Sequence, residues 1–207
     1  KRYYDTDAGV KKMILAVHLE KLTSYLSTLA LLIDQYKSGE PDFPDNALKW
    51  LEEAEKIMSQ LRLPEGSEMS ALRSRIIKAA DVSTLESKAT RSNLRKARNA
   101  AAAEALERAE SIMRGRLLTA EERLRFFEEK LCEGMTALLL QVPLPEKRGH
   151  YTEWLDLVWG QLRQEKSTRP LVLYITASLS PYDRSLILDR VLSRVTDEEL
   201  EHSALPD

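Results

Sequence analysis

The chain has 207 residues, 43% hydrophobic, 31% charged and 6% aromatic, with 7 Gly, 8 Pro and one Cys. A single cysteine excludes a disulfide scaffold and any zinc site built from several thiolates. Low Gly and Pro with 31 basic against 33 acidic side chains excludes a collagenous or low-complexity chain, and enough apolar surface exists to offset the entropy of ordering.

The chain begins Lys1-Arg2-Tyr3-Tyr4-Asp5 without an initiator Met, which reads as a processed or partial start. Its longest mainly apolar run, Leu26 to Ile33, is interrupted by Ser27 and Thr28. That run falls far short of the roughly 20 residues of a spanning helix, so no membrane span is expected. With no leader-like pattern and only Cys132, the expected setting is a reducing cytoplasm.

Residues 6 to 37 carry Leu15, Leu19, Leu22, Leu26, Leu29, Ile33 and Tyr36 at alternating spacings of 4 and 3, one stripe of a helix with period 3.5. Ile14, Val17, Tyr25 and Leu32 widen the stripe, which suits a bundle helix with two neighbours and also makes the stripe a candidate self-association face. Ser38-Gly39-Glu40-Pro41 stops it. A second helix, about Asn46 to Leu61, repeats the spacing through Ala47, Leu51, Ala54, Met58 and Leu61. After the turn Leu63-Pro64-Glu65-Gly66, Ser67 caps a short third helix carrying Met69, Leu72, Ile76 and Ala79.

Ser83-Thr84-Leu85-Glu86 has the form of a capping box. From Thr84 to about Arg114 the segment lacks Pro and Gly, and its apolar face is mostly small: Leu94, Ala97, Ala101, Ala102, Leu106, Ala109 and Met113. Alanine's propensity predicts one long helix, with a break near Ser92-Asn93 as the alternative. Thr119 to Glu122 is a second box, starting a helix with Leu124, Phe127, Leu131, Met135 and Leu138 on one face and ending at Val142-Pro143-Leu144-Pro145. Trp154, Leu155, Val158, Trp159 and Leu162 mark another helix. Pro170 to Leu179 is apolar on all sides; helix is favoured over strand because Ser167 or Thr168 can cap it and no partner strand appears. Ser180 to Asp183 starts the next helix, and Thr196 to Glu199 a final short one.

The expected fold class is therefore all-α: a multi-helix bundle of about eight to nine helices, divided into an N-terminal bundle (1–82), a long basic, Ala-rich connecting helix (83–116) and a C-terminal bundle (117–207). No solenoid period of 34 or 40 residues is found.

Charge is unevenly placed. Residues 1–72 carry 9 basic and 12 acidic side chains, residues 73–116 carry 11 and 5, and residues 117–207 carry 11 and 16. Within the basic middle, Lys88, Arg91, Arg95 and Arg98 share one helix face with Lys96 beside them, a candidate anion- or partner-binding stripe. The competing reading is a solvated face, or cations paired with the protein's own acidic flanks; it is favoured because no aromatic residue lies between Leu85 and Leu118 to stack a base.

Catalytic constellations are missing. His18, His150 and His202 have no partner at metal or nucleophile-activating spacing. Glu199 and His202 form one Glu-x-x-His pair where a di-iron bundle needs two. The Arg-x4-His spacing of helical RNases fails, since Met13, Pro145 and Asp197 stand five before the three histidines. Cys132 follows Leu131 on a core-packing helix and reads as a buried hydrophobe. Seven scattered glycines exclude a phosphate-cradling loop. Arg184, Arg190 and Arg194 after the 170–179 segment imitate a DNA-binding helix-turn-helix, but the turn lacks Gly and Asp183 and Asp189 would oppose the phosphates. Trp154 and Trp159 form the densest aromatic cluster, at a spacing that suits a core.

No catalytic, cofactor or metal residue is expected. The sequence favours a non-enzymatic helical module that binds another protein, with a homodimer as one form of that association. Nucleic-acid binding through residues 88–98 is the alternative.

Overall fold

The computed structural model describes residues 4–7, 10–85, 91–147 and 149–203, with side chains for 14–79, 92–147 and 149–195. Among these residues the fold is all-α: α1 Leu15–Ser27, α2 Leu29–Ser38, α3 Phe43–Gln60, α4 Gly66–Leu85, α5 Arg91–Leu139, α6 Tyr151–Gln164, α7 Arg169–Ser178 and α8 Pro181–Ser203. A short antiparallel hairpin precedes them, β1 Tyr4–Asp7 and β2 Val10–Met13, in register from Tyr4↔Met13 to Asp7↔Val10.

The expected eight to nine helices are corrected by fusion and by one interruption. Among the described residues, the nine predicted spans become eight helices, or seven if α1 and α2 are taken as one helix interrupted at Thr28. The first begins at Leu15 rather than residue 6, consistent with Gly9 opposing helix and with Thr6 and Val10 favouring extended backbone. The Ala-rich segment and the segment after Thr119 are one helix of 49 residues. Thr119 caps nothing there; its hydroxyl donates back to the Gly115 carbonyl at 2.9 Å, a bond compatible with an unbroken helix. α4 runs on through Ser83 to Leu85, and α8 runs through Thr196. Pro170 to Ser178 is helical as expected, with Pro170 in the first turn of α7.

The chain divides into two compact units, His18–Thr119, and Ala120–Asp207 together with Lys1–Val17. In the first, Leu22, Leu29, Leu32, Phe43, Leu51, Met58, Met69, Leu72 and Ile76 form one core with Ala102, Ala105, Leu106, Ala109 and Met113 of α5. The small side chains of the Ala-rich segment are thus core members. Each contributes less burial than a Leu would.

The interruption at Thr28 has a polar cause. The Ser27 hydroxyl donates to Ser24 O at 2.7 Å and the Thr28 hydroxyl to Tyr25 O at 2.6 Å, so both side chains compete for carbonyls of the preceding turn. Trp50 Nε1 donates to Thr28 Oγ1 at 2.9 Å, the Tyr25 hydroxyl donates to Trp50 O at 2.6 Å, and the two rings stack at 4.9 Å. Burial first, and then the charge of Glu53, hold the Tyr25 phenol well above its ordinary value. A phenol whose pKa is raised by folding contributes stability that is intact below about pH 10 and declines as pH rises through the folded-state value. Tyr25→Phe should therefore cost about 1 kcal/mol at neutral pH. Urea unfolding between pH 9 and 11 should show its stability falling less steeply than that of the wild type.

In the second unit, Leu124, Phe127, Leu131, Met135 and Leu138 of α5 are buried with Trp154, Val158 and Leu162 of α6, Val172 and Ile175 of α7, and Ile187 and Val191 of α8. The Ser180 hydroxyl donates to Asp183 Oδ2 at 2.8 Å and accepts from Asp183 N at 3.1 Å, so Ser180 caps the start of α8 as expected. The same Asp183 carboxylate accepts Leu15 N at 2.9 Å and Ala16 N at 3.0 Å, the opening amides of α1. One buried carboxylate thus serves two helix starts that are distant in sequence.

Candidate functional site

α2 carries more apolar surface than its bundle covers. Leu29 and Leu32 are buried, while Leu31 is 68% exposed, Ile33 42% and Tyr36 49%. Local chemistry fixes the end of this helix: Gly39 at φ 69° follows Ser38, Gly39 N donates to Tyr36 O at 3.1 Å, and Glu40 N donates to Gln35 O at 3.0 Å. Glycine takes this left-handed conformation without a Cβ penalty. Asn46 Nδ2 donates to Gln35 Oε1 at 3.1 Å, tying α2 to the first turn of α3.

The result is a groove of about 190 Å³ within the first unit, lined by Leu29, Leu32, Ile33 and Tyr36 of α2, Phe43 of α3, and Ala103, Leu106, Glu107 and Glu110 of α5. Leu29, Leu32, Phe43 and Leu106 are its buried lining. Ile33 and Tyr36 are its exposed apolar residues, the Tyr36 ring lying 5.2 Å from that of Phe43. Ala103 lines the α5 side with only a methyl group. Two larger depressions differ in character. One of about 350 Å³ is bounded by Pro143, Pro145, Asp156, Leu157 and Gln161, and one of about 310 Å³ has the Arg116–Glu65 ion pair in its wall.

The predicted self-association stripe is distributed rather than presented as a face. Leu15, Leu22 and Leu29 are buried, Leu19 and Leu26 half-buried, and only Ile33 and Tyr36 are exposed, both in the groove. Of the candidate anion stripe, Lys88 and the Arg91 side chain lie outside the described residues, and Lys96 is exposed. Arg95 donates to the Gly39 carbonyl at 2.6 Å, and Arg98 pairs with Asp45 at 2.6 Å. Arg95 thus ties the turn after α2 to α5, and Arg98 ties the first turn of α3 to it.

The remaining candidates take structural places. His18 is buried, Cys132 is half-buried, and the side chains of Glu199 and His202 are outside the described residues. Arg190 and Arg194 reach the buried Glu128, while the Arg184 guanidinium lies 5.8 Å from the Trp159 ring. Trp154 is buried and donates from Nε1 to Pro145 O at 2.8 Å. Among the described residues, no three His, Cys, Asp or Glu side chains converge as a metal site requires, and no helix is long and apolar enough to cross a membrane.

Sequence reasoning missed the groove. The available signal was the unbroken apolar run Leu29 to Ile33, which has more apolar faces than one helix interface can cover. Compared with known protein families, curated proteins and solved structures, the chain matches none.

Proposed function

We propose that the chain is a non-enzymatic helical interaction module, an adaptor, regulatory, secretion-related or assembly subunit, which receives a helix of a partner protein in the α2–α5 groove. The observation that carries this reading is the pair of exposed apolar side chains, Ile33 and Tyr36, beside the buried Leu29, Leu32, Phe43 and Leu106. A cavity of about 190 Å³ is smaller than the roughly 300–1,000 Å³ typical of small-molecule sites. It suits one or two bulky side chains projecting from an amphipathic helix laid along the groove. Arg95 and Arg98 support the reading indirectly, because both are engaged with the chain's own Gly39 and Asp45 rather than held in an open basic row.

Placing a photo-crosslinking phenylalanine analogue at position 36 tests this in cells. The expected outcome is a discrete adduct with a second polypeptide, lost when Ile33 is also changed to Asp and retained when Leu31 is changed to Asp. Absence of any adduct, or adducts indifferent to Ile33→Asp, would overturn the reading.

A further inference from the structure

The groove is charged on one side only. Its two charged lining residues, Glu107 and Glu110, are both acidic and both belong to α5, one helical turn apart, while the α2 side contributes Leu29, Leu32, Ile33 and Tyr36. Glu107 is exposed, and Glu110 is partly exposed and held at 2.7 Å by Arg114 of its own helix. The nearest cations toward the start of α5 that the structure engages, Arg95 and Arg98, are committed to Gly39 and Asp45.

From this asymmetry, and resting on the docking role above, we infer that the occupant is a basic amphipathic helix of a partner protein. Its apolar edge enters between Tyr36 and Leu106, and Lys or Arg residues three or four apart on one flank meet Glu107 and Glu110. Residues at that spacing lie on one helix face, so a single partner helix can present both the anchor and the cations. An acidic helix of the same apolar pattern would place like charges together, which disfavours it. The Glu110–Arg114 pair does not block this, because an i,i+4 ion pair with a largely exposed arginine is weak and a second cation can share the carboxylate.

The test uses the 207-residue chain and two fluorescein-labelled synthetic helices. They are roughly 18 residues, about five turns, with an identical leucine edge; one has Lys and the other Glu on its polar face. Fluorescence anisotropy should show the Lys helix binding about tenfold more tightly at low salt, a preference that shrinks as salt screens the contacts. Glu107→Lys with Glu110→Lys should reverse the preference. Ile33→Asp should abolish binding, and Ala103→Trp, which fills the groove from the α5 side, provides a second block should the first variant fail to fold.

Equal binding of both helices, abolished by Ile33→Asp or Ala103→Trp, would overturn the basic partner and leave the docking role standing. Binding of neither helix, or binding untouched by both groove variants, would count against both. Sedimentation adds a further discriminating outcome: a dimer of the chain alone that Ile33→Asp dissolves would make a second copy the occupant and overturn the inference.

Discussion

Replacing Asp183 with Ala is expected to destabilise the chain by about 3–5 kcal/mol, among the larger effects a single substitution produces. The carboxylate is fully buried and accepts three donors: the Leu15 and Ala16 amides and the Ser180 hydroxyl. Truncation leaves all three without their acceptor, and hydrogen bonds to a charged group are each worth about 1.5–3 kcal/mol before partial compensation. At a typical urea slope of about 2 kcal/mol/M, the unfolding midpoint falls by roughly 2 M. Asp183→Asn keeps the shape and one acceptor oxygen and should lose roughly half as much. Trp154 and Trp159 belong to the same unit as Asp183, so intrinsic fluorescence follows the transition. A midpoint for Asp183→Ala within error of the wild type would show that the two helix starts find other partners.

The second large effect depends on which side of an ion pair is removed. Glu128 is buried, its side chain 5% exposed, and its carboxylate meets Arg190 at 3.4 Å and also Arg194. Taking away both cations, Arg190→Ala with Arg194→Ala, strands a buried negative charge and should cost about 3 kcal/mol. The reciprocal change, Glu128→Met, fills the same space without charge and returns two half-exposed guanidiniums to water, so it should fall within about 1 kcal/mol of the wild type. Thermal and urea unfolding of the two variants decides the matter. Equal losses would mean that Glu128 contributes through its attraction rather than costing the fold its desolvation.

Much of the helical pattern was legible because it rests on local rules. Ala47, Leu51, Ala54, Met58 and Leu61 follow one stripe and all five are buried, and Ser180 opens α8 as expected, its hydroxyl accepting the Asp183 amide. Where local rules misled, a non-local fact prevailed. Thr119 to Glu122 has the lettering of a helix start, yet Phe127, Leu131 and Met135 are buried on the same helix that buries Ala102, Leu106 and Ala109, and α5 continues through it. The second role of Asp183 depends on Leu15, 168 residues away, and no spacing rule reaches that far.

The groove was hidden for a related reason. Leu29 and Ile33 sit on the same sequence stripe, but one is buried and the other 42% exposed. Periodicity identifies which residues share a face; it does not say where the covering neighbours stop. The basic row was likewise legible as a row, while the partners of Arg95 and Arg98 lie more than 50 residues earlier.

The Asp183 clasp also bears on how this protein can be cut. Chain order and compact units do not coincide, since residues 1–17 group with residues 120–207 and α5 spans residue 119 without a break. A fragment ending at 119 would keep Leu15 and Ala16 but lose the carboxylate that receives their amides, and it would end in the middle of a helix. A fragment of 18–119 has the same end within α5 and opens inside α1, but it keeps every residue that lines the groove and omits the segment that needs Asp183. Deletion mapping of a partner should therefore begin at residue 18, because serial truncation from the C-terminus would remove an anchor of the N-terminal segment before it reached the binding surface.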